Sequence, residues 1–84
     1  MQHRQLRAAI LRLLAERGEG KTICPSEAAR SVAASDRRED WQPLMEPARV
    51  AAGELVREGR IDITQRGRVV NGATAKGPIR LRLR

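Results

Sequence analysis

The hydrophobic period of this chain changes once, at Gly59–Arg60, and that change restricts the fold more than any other feature. Upstream, apolar residues recur three and four positions apart, the spacing of helices packed along one face. Downstream, Ile61 and Ile63 alternate with Asp62 and Thr64, and Ile79, Leu81 and Leu83 alternate with Arg80, Arg82 and Arg84. That is the spacing of strands with one apolar face. Helices followed by a small sheet within 84 residues imply one α+β domain spanning 1–84.

Leu6, Ala9, Ile10, Leu13, Leu14 and Arg17 share a face of a first helix over about residues 3–17. The stem of Arg17 can cover the edge of that stripe, Leu11 lies off it, and Gly18 and Gly20 end the helix. Lys21-Thr22-Ile23 is a short β-branched segment. Pro25 then opens a second helix over about 25–34, with Cys24 as N-cap and the Glu27 carboxylate near the positive helix end. This helix is expected to bury Ala28, Ala29, Val32 and Ala33. After the polar connection 35–40, Asp40 is expected to cap a third helix that opens at Trp41 and turns Leu44, Ala48, Ala51 and Leu55 inward. Pro47 would remove a hydrogen bond and crowd the preceding turn of such a helix. Either one kinked element runs to Gly59, or a turn over 41–46 precedes a helix starting near Pro47; the first is favoured here.

Gln65-Arg66-Gly67 reads as a turn, Val69-Val70 as a short strand and residues 71–78 as a loop. The order helix, short strand, helix, helix, strand, strand is that of a winged helix-turn-helix, three helices with a small antiparallel sheet. Its wing and C-terminal strand occupy about residues 60–84. With no Phe or Tyr and one Trp, the core must be aliphatic. Ile10, Leu13, Val32, Leu44, Leu55, Ile61, Ile63, Ile79 and Leu81 are expected to form it as one contiguous body.

The formal charge is +7, and its distribution is uneven. Residues 1–15 carry +3, residues 16–58 carry −2, and residues 59–84 carry +6. Such a balance points to polyanionic partners and says nothing about fold. Arg outnumbers Lys 15 to 2 in an Ala-rich chain, a pairing that GC-rich coding alone produces, so the choice of Arg is not evidence of guanidinium chemistry.

Several chemistries find no support. One Cys and one His exclude an intramolecular disulfide and leave no basis for a metal site. Cys24 at a helix N-terminus needs a base to act as a nucleophile, and His3 lies near the chain end, so a small capping residue explains it better. Asp36, Glu39 and Asp40 sit beside Arg37 and Arg38 as a solvated charge cluster. Gly18-Glu-Gly20-Lys21-Thr22 lacks the spacing of a phosphate-binding loop. No cofactor is implied, no catalytic residue is assigned, and the domain is expected to be non-enzymatic. No targeting signal or membrane-spanning run is present, so a cytoplasmic setting is expected. A membrane-surface helix over 3–17 would expose the stripe that the core needs.

Four blocks resemble a family of small bacterial proteins catalogued as domain of unknown function 3253. They are Ile23-Cys-Pro-Ser-Glu-Ala-Ala-Arg30, Trp41 with Leu44-Met45, Gly59-Arg-Ile-Asp-Ile-Thr-Gln-Arg-Gly67 and Lys76-Gly-Pro-Ile-Arg-Leu81. The resemblance spans nearly the whole chain. It implies a winged-helix-like fold and a bacterial source, and it carries over no activity and no functional residue. Winged-helix domains in general bind duplex DNA through the third helix and wing, or serve as protein-interaction modules; either function comes from fold by analogy.

Duplex DNA is the first partner considered. The outer face of the third helix would present Glu46, Arg49, Val50, Gly53 and Arg57, with Arg49 and Arg57 directed at base edges and Gly53 allowing close approach. Arg66, Arg68 and Lys76 of the wing would meet phosphates, as would Ser26 at the second helix's N-terminus. Against this, Glu46, Glu54 and Glu58 make the third helix net negative, and pairs such as Glu46–Arg49 and Glu54–Arg57 would explain its charges as a solvated face. Single-stranded nucleic acid is disfavoured because Trp41 alone could stack a base, and its neighbours suggest a core lid. The alternative is a protein-interaction module using the same helix and wing surface, in which Leu11, Val50, Val56 and an open basic-faced C-terminal strand would form a dimer surface or dock an acidic partner. At a sheet edge, Arg80, Arg82 and Arg84 would also discourage uncontrolled strand pairing.

Overall fold

Ile23, Leu81 and Ile63 stand side by side across three strands, and the helices pack on the face of the sheet that they form. The computed structural model describes residues 2–72 and 74–84. In chain order the elements are α1 (Gln2–Arg17), β1 (Thr22–Ile23), α2 (Pro25–Ala33), the single turn α3 (Arg38–Trp41), a 3-10 turn (Gln42–Leu44), α4 (Met45–Arg57), β2 (Ile61–Gln65), β3 (Arg68–Val69) and β4 (Arg80–Leu83). The sheet is antiparallel, with strand order β1-β4-β2-β3. Three longer helices with a small four-stranded sheet give the α+β, winged-helix-like architecture expected from the change of period.

Local chemistry sets the boundaries. Cys24 is the N-cap of α2 and Pro25 its first residue, where a missing N–H leaves nothing unpaired. The Cys24 backbone N–H donates to Glu27 Oε2 at 2.7 Å, so Glu27 reaches back to close the helix start. Arg17 does more than cover an edge: its guanidinium donates to the Thr22 carbonyl at 3.0 Å and pairs with Glu27. It therefore joins α1 to both β1 and α2. At the far end of α2, Ala34 takes a left-handed conformation (φ 55°) and its N–H closes on the Arg30 and Ser31 carbonyls.

The third helix departs from the expected kinked element. The chain becomes helical at Arg38, and Asp40 is not the cap: Ser35 Oγ accepts the Arg37 N–H at 3.0 Å and donates to Asp40 Oδ2 at 2.7 Å. Pro43 has no N–H to continue an α-helical ladder, and residues 42–44 tighten into the 3-10 turn. A new helix then starts at Met45, which puts Pro47 in its first turn, where backbone N–H groups have no intrahelical acceptor anyway. No kink is needed.

One buried cluster contains Leu6, Ile10, Leu14, Ile23, Leu55, Ile61, Ile63, Ile79 and Leu81, with alanines of α1, α2 and α4 between them. Small residues at Ala48, Ala51 and Ala52 let α4 sit close to its neighbours. Leu13 and Val32, expected in this core, are partly buried at its margin, as is Leu11. Leu44 is buried but stands outside the cluster. Ala33 is half-buried. Trp41 is not a lid on the core: it is half-buried, its Nε1 donates to the Asp36 carbonyl at 3.3 Å, and the Arg30 guanidinium lies 5.5 Å from its ring centre.

β4 is the second correction. It lies between β1 and β2 rather than at an edge, so its arginines do not protect an exposed strand. Their outward face is partly neutralised: Arg84 holds Asp62 at 2.9 Å, with Arg82 3.7 Å from the same carboxylate, and Arg80 donates to Thr22.

Candidate nucleic-acid interface

The acidic residues of α4 are divided between two faces. Arg7 of α1 grips Glu58 with both terminal nitrogens at 2.8 Å and reaches Glu54 at 3.2 Å. His3 Nε2 lies 2.6 Å from the same Glu54 oxygen. The expected Glu54–Arg57 pair is therefore absent among the described residues. The Arg7 hydrogen bonds hold the Glu58 carboxyl below the ordinary carboxylate range against a smaller effect of desolvation, and hydrogen bonding to Glu58 raises Arg7 in turn. Both acids thus pair with α1, while Arg60 and Arg57 add weaker attraction to Glu58. Sequence pattern offers no sign of this, because nothing in the spacing of Arg7 relates it to a residue 47 positions away.

The other face of α4 keeps Glu46, Arg49, Val50, Gly53 and Arg57, as expected, but it is not simply open. Residues 70–72 and 74–79 return alongside it as a strap, leaving a groove of about 450 Å³ between the two. Val56, Ile63 and Ile79 line it from the core side, and Asn71, Gly72 and Ala75 from the strap. Arg49 Nη2 lies 3.5 Å from the Gly77 carbonyl oxygen. Gly53 leaves room: a Cβ there would meet only Arg57 Nη1, at 3.9 Å. Gly72 has none, since a Cβ would stand 2.5 Å from Ile63 Cδ1.

Besides the Arg49 contact, the strap is held by its backbone and by the Gln65 amide. Val70 N–H donates to the Ile63 carbonyl at 2.8 Å, and Gln65 Nε2 donates to the carbonyls of Lys76 and Pro78 at 2.6 and 3.1 Å. The loop expected over 71–78 holds for its described residues; Ala73 lies outside them. The wing begins with a two-residue turn in which Arg66 (φ 51°) and Gly67 (φ 81°) both have positive φ, the geometry that matches the twist of a tight hairpin. On this side of the strap a second concavity is lined by Gln65, Arg66, Arg68, Val70, Lys76, Pro78 and Arg80. Arg66, Arg68 and Lys76 form no ion pair with any described residue.

The expected contact residues thus fall into two adjacent sets. Arg49, Gly53 and Arg57 share the α4 groove, and Arg66, Arg68 and Lys76 share the wing concavity, with Arg80 added by the structure. Ser26 belongs to neither; its hydroxyl donates to Cys24 Sγ at 3.2 Å. No cluster of three or more His, Cys, Asp or Glu residues able to hold a metal occurs among the described residues. No described helix is long and apolar enough to cross a membrane.

Together these elements define a small winged-helix-like α+β domain with a basic wing beside its third long helix. The chain belongs to the family described as protein of unknown function (DUF3253), whose family model matches residues 3–84. Comparison with curated proteins gives no match.

Proposed function

We propose that this domain is non-enzymatic and binds duplex DNA through α4 and the wing, in the cytoplasm. The observation that carries this reading is the division of charge on α4. With Glu54 and Glu58 committed to Arg7, the groove face retains two arginines against Glu46, next to the unpaired cations of the wing. Phosphates would be held mainly by Arg66, Arg68 and Lys76, contacts that position without reading sequence. Arg49 and Arg57 would face base edges, each bidentate guanine contact being worth about 1–3 kcal/mol of discrimination. Gly53 has no side chain to hold the helix backbone away from a groove wall.

The test is a titration of a random duplex pool near physiological ionic strength, followed by sequencing of the bound fraction. Affinity should fall with log salt by about 0.9 per phosphate neutralised, so replacing Arg66 and Arg68 together should flatten the slope by about 1.8 and weaken all sequences alike. Arg49→Ala or Arg57→Ala should instead relax sequence preference. No binding, or binding with no sequence enriched and no effect of either arginine, would refute DNA recognition and favour docking of an acidic protein on the same surface.

A further inference from the structure

We infer that the groove between α4 and the strap binds a small monoanionic carboxylate with an apolar body, held head-first by Arg57 and Arg49. This goes beyond DNA binding and does not depend on it. The volume, about 450 Å³, falls within the range of small-molecule sites. The walls have the matching chemistry. Ile63 and Ile79 form an almost fully buried floor, Val56 and Ala75 are half-buried beside it, and Val50 remains 50% exposed at the rim with no described side chain covering it.

The polar groups are few and converge. Arg57 carries no ion pair with a described residue, and its Nη1 lies 3.9 Å from the position a Cβ of Gly53 would take. The guanidinium therefore lies beside the glycine on the wall of the groove, while its charge also acts on Glu58. Arg49, one helical turn before Gly53, lines the same groove, and its Nη2 lies 3.5 Å from the Gly77 carbonyl of the strap. A carboxylate seated over Gly53 would meet the Arg57 guanidinium in place of a side chain, with Arg49 one turn away on the same wall. Glu46 lies seven residues before Gly53, about 10 Å along the helix, so the groove as a whole is suited to one negative charge rather than two.

The experiment uses the intact chain and contains no DNA. Octanoate, octanamide and acetate are titrated while backbone amide resonances are followed by NMR. Octanoate should shift Gly53, Gly72, Ala75 and Ile79 saturably, octanamide should bind at least about tenfold more weakly, and acetate should give no saturable shift there. Arg57→Gln should remove most of the advantage of octanoate over octanamide, leaving only what Arg49 supplies, without altering the affinity of octanamide. Gly53→Leu, which places a side chain in the carboxylate seat at a helical position with space for it, should abolish octanoate binding while the thermal midpoint is retained or raised. Equal affinity for octanoate and octanamide, no effect of Arg57→Gln, or shifts confined to the wing arginines would overturn the assignment, the last being general attraction of an anion to a +7 protein.

Discussion

Replacing Gly72 by Ala should destabilise the domain through a single atom, and removing that atom should reverse the effect. A Cβ at position 72 would stand 2.5 Å from Ile63 Cδ1, while Ile63 Cγ1 and Cγ2 lie at an ordinary 3.7 and 3.8 Å. Carbon atoms rest about 3.5–4.0 Å apart, so Cδ1 must withdraw by about 1 Å or more. Ile63 is only 4% exposed and has little space to turn into. Such overpacking costs about 1–3 kcal/mol. The loss of unfolded-state freedom on Gly→Ala returns about 0.4–1 kcal/mol, since Gly72 does not need a positive φ. Ile63→Val removes Cδ1 and by itself should cost about 0.5–1.5 kcal/mol. In that background Gly72→Ala fills the vacated space and should be neutral or slightly stabilising. The double variant is thus expected to be more stable than the sum of the two single effects predicts, by about 1–3 kcal/mol, measured by urea denaturation of all four proteins. Additivity within about 0.5 kcal/mol would show that the strap is not seated on Ile63.

Other outcomes follow from packing and charge. Leu55→Ala should cost about 2–5 kcal/mol by urea unfolding, and Leu13→Ala clearly less, because Leu55 is fully buried and Leu13 sits at the core margin; equal losses would contradict that placement. Ala34→Gly should raise stability by about 0.5–1 kcal/mol, since it removes the side chain from a left-handed cap while keeping its N–H bonds, and no gain would show that Ala34 is not strained. Burial pushes the Glu27 carboxyl up, but the Cys24 N–H and the Arg17 guanidinium together hold it below its ordinary value. A lowered folded-state pKa contributes stability above the unfolded pKa, and the contribution disappears as pH falls through the folded value. Glu27→Gln should therefore be less stable than the parent at pH 7, with the gap narrowing between about pH 5 and pH 3; a constant gap in urea unfolding across that range would refute the linkage.

The fold was legible because period and punctuation agree. The α1 stripe, the Cys24-Pro25 helix start, the Arg66-Gly67 turn and the alternation of β2 and β4 all follow from local rules. Two features were not local. Strand order places β4 inside the sheet through pairing with Thr22-Ile23, about 60 residues earlier, and a basic-apolar alternation reads alike at an edge or a centre. The helical lead-in to α4 depends on where an uninterrupted ladder resumes after Pro43, which the inner stripe of Leu44, Ala48 and Ala51 leaves undetermined. For the candidate site, residue identities were legible and groupings were not. Arg49, Gly53 and Arg57 do share a face, but neither the strap across it nor the capture of Glu54 and Glu58 by Arg7 has a signature in spacing.

The central place of β4 has a consequence for how the chain folds during synthesis. Among the described residues β1 pairs only with β4, and β2 is joined to β1 only through it. Until Arg80–Leu83 has left the ribosomal tunnel, Ile23 has no strand neighbour and the apolar edge of the helical layer has no complete sheet to rest on. The helices can form early from local contacts, whereas closure of the sheet waits for residues 80–83 and involves pairings about 60 residues apart, the slow class of folding event. A chain in which β2 has formed before β4 joins it therefore leaves Ile61 and Ile63 without their partner strand, an unpaired edge open to association with other copies.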